Sequence, residues 1–211
     1  MTDPQASSDD LIRQTIAFYD QNADDFCKRT QSIDLGPIYE PFIKRLPDGA
    51  HILDAGCGSG RDSLAFKRMG YRITAMDASA ELVAHVSALL DQPAIHLTFQ
   101  EMRFEEEFDA VWANASLLHV PQSQIADVIE RFVKALKPGG VFYLSFQYGT
   151  SHEFRAGRLF GDYDETTFSE LIARFPALEI VEMWTTEDVR PQNTTQWLNA
   201  ITRKAAGRAA G

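Results

Sequence analysis

The run Ile52-Leu53-Asp54-Ala55-Gly56-Cys57-Gly58-Ser59-Gly60 constrains this chain more than any other stretch. A short apolar run ends at Asp54 and passes into three closely spaced glycines, the pattern of a strand that stops in a turn where a ligand can touch bare backbone. A dinucleotide turn has the spacing G-x-G-x-x-G, and its amide N–H groups and following helix N-terminus face a pyrophosphate. Here the third glycine comes one position early, at Gly60, and Arg61 stands where that glycine is required. Asp54 also places a negative charge at the strand tip. That charge repels a pyrophosphate and favours a ligand carrying positive charge.

The surrounding chain alternates in period. Helical spacing of Ile12, Ile16, Tyr19, Ala23 and Phe26 predicts an N-terminal helix from Leu11 to about Lys28, after a polar tail over residues 1–10. A second helical piece is expected from about Pro37 to Leu46, so that residues 1–46 form a helical cap ahead of a domain at 47–211. Strands are expected at His51–Asp54, Tyr71–Met76, Ile95–Phe99, Phe108–Trp112 and Val141–Phe146. Helices are expected between them at Arg61–Met69, Ala80–Leu90 and Gln122–Leu136. Lys137-Pro138-Gly139-Gly140 reads as a turn. Strands alternating with helices imply a parallel α/β sheet covered on both faces. A helix at Glu165–Phe175 and two strands, Leu178–Thr185 and Thr195–Arg203, complete the chain as an antiparallel edge hairpin.

With 211 residues, 45% hydrophobic, the chain is long enough to bury one ordinary core. A formal charge of −10 argues against nucleic acid as partner, since phosphate binding needs clustered Lys and Arg. No stretch approaches the apolar length of a membrane span, and Met1-Thr2-Asp3-Pro4-Gln5 lacks the character of a secretion signal. A cytoplasmic protein, monomer or homodimer, acting on a small molecule is therefore expected. Cys27 and Cys57 are read as free thiols, and the five histidines and two cysteines show no metal-ligand spacing.

In an open α/β sheet the ligand lies beyond the carboxyl ends of the strands. Gly56, Gly58 and Gly60 end the first strand, and Asp77 ends the second, where a carboxylate can accept two ribose hydroxyls. The third strand ends at Thr98-Phe99 and the fourth at Ala113-Asn114-Ala115-Ser116-Leu117-Leu118-His119. This ordered series, with the Asp-x-Gly-x-Gly-x-Gly pattern in front of it, resembles the motifs of class I S-adenosylmethionine (SAM) methyltransferases. The likeness runs from Phe18-Tyr19 to Trp197-Leu198-Asn199 and is similar to the bacterial group labelled tellurite-resistance-related. It implies a seven-stranded Rossmann-like sheet with an N-terminal helical lid, and SAM as cofactor. The cofactor would be held by Asp54, Gly56, Cys57, Gly58, Gly60, Asp77, Ala78, Ser79, Thr98, Phe99, Ala113 and Asn114.

For the acceptor, Tyr19, His152, Arg155, Arg158 and Arg190 are candidate binding residues. His119 and Tyr148 are candidate acid–base groups. Three arginines brought to one rim of an acidic chain suggest an anionic acceptor, a carboxylate or metalloid oxyanion, against the alternative of ion pairs with Glu153, Asp162, Asp164 and Asp188. A SAM-binding sensor without chemistry is the competing reading, because the cofactor motifs serve both.

Overall fold

The computed structural model describes residues 7–190 and 193–207. Of the expected polar tail, residues 1–6 fall outside the described residues. Ser7 caps the first helix: its hydroxyl accepts from the amide of Asp10, and the Asp10 carboxylate accepts from the amide of Ser7.

The N-terminal periodicity forms two helices instead of one, α1 (Ser8–Gln21) and α2 (Ala23–Thr30). The break falls at Asn22, whose side-chain amide donates to the Phe18 carbonyl at 2.7 Å. Asn competes in this way for backbone acceptors that a continuing helix would use. Helix α3 (Gly36–Ile43) leads to β1 (His51–Ala55), α4 (Arg61–Arg68), β2 (Arg72–Asp77) and α5 (Ala80–Leu90). Then come β3 (Ile95–His96), β4 (Phe108–Ala113), α6 (Ile125–Ala135) and β5 (Leu136–Gln147). The remaining elements are a hairpin of β6 (His152–Arg155) and β7 (Arg158–Gly161), α7 (Glu165–Ile172), β8 (Leu178–Glu187) and β9 (Gln196–Lys204).

Seven strands form one sheet in the order β3-β2-β1-β4-β5-β9-β8. β1 to β5 run parallel, and β9 runs antiparallel to both β5 and β8. The sheet is therefore the mostly parallel, Rossmann-like architecture expected. The last strand is inserted inside it, and β8 forms the edge. Because β8 then points the same way as β5, its carboxyl end joins those of β1, β2 and β4.

One face is covered by Tyr39 and Phe42 of α3, Phe66 of α4 and Val86 and Leu90 of α5. The other is covered by Ile129 and Phe132 of α6 and Phe168 and Leu171 of α7. Buried aromatic rings dominate the first face: Trp112 stacks on Tyr143 with centroids 3.8 Å apart and lies edge-on to Phe66.

Three further differences from the sequence expectation matter. The third strand is only two residues long, because Thr98 caps a 3-10 turn over Phe99–Glu101 with Glu101 accepting from its amide and hydroxyl. The expected turn at Lys137–Gly140 is an excursion inside β5, where the ladder to β4 skips from Leu136 to Val141. The β6–β7 hairpin gave no advance signal. It turns through Ala156 and Gly157, both at positive φ, and a Cβ on Gly157 would lie 3.0 Å from the Phe18 ring.

Candidate functional site

A cavity of about 480 Å³ lies beyond the carboxyl ends of β1, β2 and β4, roofed by α1 and α2. It falls within the range of small-molecule sites.

At one end stands the glycine turn. The amides of Gly56 and Cys57 both donate to the Met76 carbonyl at 2.9 Å, that of Gly60 donates to Cys57, and that of Gly58 donates to the Asp77 carboxylate at 2.9 Å. Four turn amides are thus spent inside the protein, and none of these four faces outward as a phosphate nest would require. The glycines serve close approach of the protein's own parts. A Cβ on Gly56 would lie 2.6 Å from that of Ser116, one on Gly58 would lie 3.1 Å from the Phe26 ring of the roof, and one on Gly60 would press on α5 at Val86 and Leu89.

Asp77 lines the cavity and accepts from the amides of Gly58 and Ser79 through opposite oxygens. A carboxylate offers about four acceptor positions, so two remain for a ligand's hydroxyls. Burial lifts its pKa above the usual carboxylate value, against the pull of these amides. The roof is tied to the same place: the Ser79 hydroxyl donates to Asp20 of α1 at 2.6 Å.

Sequence reasoning passed over Asp62, in the first turn of α4, where an acidic residue ordinarily complements the helix dipole. It lies buried on the cavity wall and accepts from Tyr39 at 2.7 Å, Trp112 at 2.8 Å, Asn114 at 3.1 Å and the Arg61 guanidinium. Burial raises the Asp62 pKa, but Arg61 and these donors outweigh it and hold the group ionised. Asn114 is fixed from the other side by the Ser145 hydroxyl, which also receives the amide of Ala115. Ala115, at φ 50°, faces the cavity, as does Ser116, whose buried hydroxyl has no hydrogen-bond partner.

At the other end, His119 lies in a 3-10 turn after β4. Its Nδ1 sits 2.6 Å from the Leu159 carbonyl, which only accepts, so Nδ1 carries the hydrogen. Its Nε2 is then the acceptor for the Tyr19 hydroxyl at 2.8 Å. Burial pushes the His119 pKa down to about 4 and raises that of Tyr19. Arg158 donates to the Tyr19 oxygen at 3.3 Å, and its guanidinium lies over the rings of Phe18 and Phe160, 4.4 and 5.0 Å from their centroids. Its Nε is buried without an acceptor.

The structure therefore gathers Tyr19, Gly56, Cys57, Gly58, Asp77, Ala78, Ser79, Thr98, Phe99, Asn114, His119, Arg158 and Arg190 around one cavity. It leaves out Asp54, Gly60, Ala113, Tyr148, His152 and Arg155. Asp54 points toward α4, where the Ser63 hydroxyl donates to it at 2.6 Å. Burial first, and then the charge of Asp62, hold the Asp54 pKa far above the carboxylate range. Gly60 is used for packing and Ala113 is fully buried in β4. Tyr148 follows the end of β5, is half exposed, and donates to Glu165 of α7 at 2.8 Å. His152 and Arg155 lie on β6, the outer strand of the hairpin.

The three arginines separate. Arg155 pairs with Glu153 and Asp162, and Arg190 with Asp188, whereas among the described residues Arg158 has no carboxylate within ion-pair distance.

The strand order is that of the class I Rossmann-like methyltransferase fold. Comparison with known proteins carries this into the sequence: residues 52–140 match the family model described as a methyltransferase domain. Ubiquinone biosynthesis O-methyltransferase from Xanthomonas axonopodis pv. citri is 32% identical over 120 residues, which cover 53% of this chain and 49% of that protein. The chain thus spans about half the length of the curated relatives it matches. The 1,6-didemethyltoxoflavin-N1-methyltransferase of Burkholderia thailandensis, solved with 1,6-didemethyltoxoflavin and S-adenosylhomocysteine bound, superposes with a TM-score of 0.81 at 23% identity over 97% of this chain and 93% of that one. The [4+2]-cyclase SpnF superposes with a TM-score of 0.73 at 16% identity, over 90% and 95% of the two chains. One fold therefore accommodates different reactions. Among the described residues no helix is long and apolar enough to cross a membrane.

Proposed function

We propose that this protein is a SAM-dependent methyltransferase acting on a small-molecule acceptor. The observation that carries the reading is the pairing of Asp77, with acceptor positions to spare, and a glycine turn whose amides at Gly56, Cys57, Gly58 and Gly60 are already used. Such a site suits ribose hydroxyls and a ligand without pyrophosphate. The unpartnered Ser116 hydroxyl and the Arg61 guanidinium line the same cavity. Arg61 would meet the cofactor's carboxylate, Asp77 its ribose, and the wall of Leu97, Thr98 and Phe99 its adenine.

When bound, SAM supplies a methyl group on a sulfonium, a leaving group that needs no protonation. The chain's own contribution is then positioning and exclusion of water. Helices α1 to α3, the expected cap, bring Tyr19, Phe26 and Ile38 over the cavity for that purpose. On the acceptor side the anion reading narrows from three arginines to Arg158. A carboxylate, an ionised ring or a metalloid oxyanion, the last corresponding to the tellurite-resistance-related likeness, are the acceptor classes this leaves.

Calorimetric titration with S-adenosylhomocysteine, with NADH as control, tests the cofactor. Micromolar binding of the first alone is expected. Asp77→Ala should weaken it by about 100-fold, the loss of two hydrogen bonds to a charged acceptor at roughly 1.5 kcal/mol each. Unchanged affinity in this variant would remove the ribose assignment. Binding of NADH instead would overturn the reading.

A further inference from the structure

The acceptor end of the cavity combines a cation without a counter-ion among the described residues, apolar walls, and an acid–base pair with no vacancy for a proton. Both nitrogens of His119 are occupied, Nδ1 by the Leu159 carbonyl and Nε2 by the Tyr19 hydroxyl. Tyr19 gives its hydrogen inward to His119 and offers the cavity a lone pair only. Arg158, stacked on Phe18 and Phe160, retains a buried Nε with no acceptor. The same cavity is lined by Ile12, Ile16 and Leu118. A small hydrated oxyanion would leave these walls wet. A flat ring covers them and places its charge on a guanidinium that is itself weakly hydrated and planar.

We propose that this end of the cavity binds a flat ring acid as its conjugate base, with the negative oxygen or ring nitrogen facing Arg158 and the ring against Phe160 and Tyr19. Tyr19 and His119 are positioning residues that hold Arg158 and the ring in place. They do not take up the acceptor's proton. That proton is lost to water before binding. The lone pair it leaves forms the new bond to the methyl carbon, the carbon–sulfur bond breaks with its electrons remaining on sulfur, and no proton passes to the protein. The transfer step rests on the methyltransferase reading, whereas the preference for the anion does not.

Other charges lie in or beside the same space. Arg155 lies over Phe160 from β6, with its guanidinium 4.1 Å from the centroid, and is neutralised by Glu153 and Asp162. Asp77 faces Tyr19 from β2, and Glu187 and the Asp188–Arg190 pair line the cavity from the end of β8. Among the described residues, then, the surrounding charge apart from Arg158 is neutralised or negative, and the preference for an anion comes from that one residue.

The probe is 4-nitrophenol, whose phenol and phenolate forms absorb differently, titrated with the full chain saturated with S-adenosylhomocysteine. Bound nitrophenol is expected to ionise at least one pH unit lower than in free solution, a tenfold preference for the anion. 4-Nitroanisole, which has no acidic hydrogen, should bind at least about tenfold more weakly. Arg158→Gln should erase the shift, and Arg158→Lys, keeping the charge and losing the stack, should restore part of it. Far-UV circular dichroism establishes that both variants fold. Nitrophenol that ionises no more readily when bound, or that fails to bind protein loaded with S-adenosylhomocysteine, overturns the proposal and leaves the methyltransferase reading intact. Failure of S-adenosylhomocysteine itself to bind overturns that reading instead, and the shift is then read on the protein alone.

Discussion

The two ends of the cavity are built on opposite terms. At the cofactor end, the four turn amides and the buried Asp62 carboxylate all have partners within the protein, and the glycines admit neighbouring side chains. At the acceptor end, a guanidinium nitrogen is buried without one, in a hairpin joined to the roof by a hydrogen bond from the Leu159 amide to Thr15. An unmet buried donor costs on the order of 1–3 kcal/mol. The glycine-turn end offers a ligand its shape, a few spare acceptor positions and the unpartnered Ser116 hydroxyl. The Arg158 end offers a positive charge with no carboxylate within ion-pair distance among the described residues.

The largest effect expected from this contrast is at Asp62. Asp62→Ala leaves the half-buried Arg61 unpaired and three neutral donors unmet. It should cost about 3–5 kcal/mol of stability in urea unfolding, whereas Arg158→Gln should cost far less. Equal costs would erase the distinction between a structural and a ligand-facing charge.

A smaller effect separates close approach from backbone conformation. Gly58 and Gly49 both have positive φ, 54° and 67°, but a Cβ on Gly58 meets Phe26 while one on Gly49 meets nothing within 4 Å. Each Ala substitution should lose roughly 1–2 kcal/mol through the left-handed backbone. Only Gly58→Ala should also weaken S-adenosylhomocysteine, by displacing the roof, and equal binding by the two variants would mean that Phe26 yields freely.

A third effect is in pH. The folded pKa of Asp54 is raised, so the native state holds a proton that the unfolded chain releases, and stability falls as pH rises from about 4 toward 8. The folded pKa of His119 is lowered to about 4, so the unfolded chain holds the extra proton. Its stabilisation is complete above the unfolded value of about 6.5 and is lost as pH falls through the folded one. Thermal melts across this range should show the alkaline loss reduced in Asp54→Asn and the acid loss reduced in His119→Gln. Slopes unchanged by both variants would mean that neither group titrates on unfolding.

Much of the geometry at the glycine-turn end of the cavity is legible in the sequence because its signals are local. Glycine spacing after an apolar run, an aspartate closing the next strand and Asn114 after β4 each lie within a few residues of the element that positions them. Asp54 misled for the same reason: its place at a strand end suggested exposure to ligand, and only the packing of α4 shows that it points toward Ser63. The acceptor end was legible by residue type and not by arrangement. Arg155 and Arg158 look alike in sequence, yet they stand opposite one another across β6 and β7, one neutralised and one not. The hairpin itself escaped notice, since its strands are four residues each and carry Arg, His and Glu among the apolar positions.

What the sequence alone determined is the alternating α/β order, the glycine turn and the absence of dinucleotide spacing, because strand and helix periods and turn residues act over short separations. What only the tertiary structure decided is which charges face the cavity. Asp62, Tyr19, His119 and Arg158 acquire their roles from partners up to 139 residues away, and an ion pair, unlike a glycine turn, is chosen by whatever the fold happens to bring within a few ångströms.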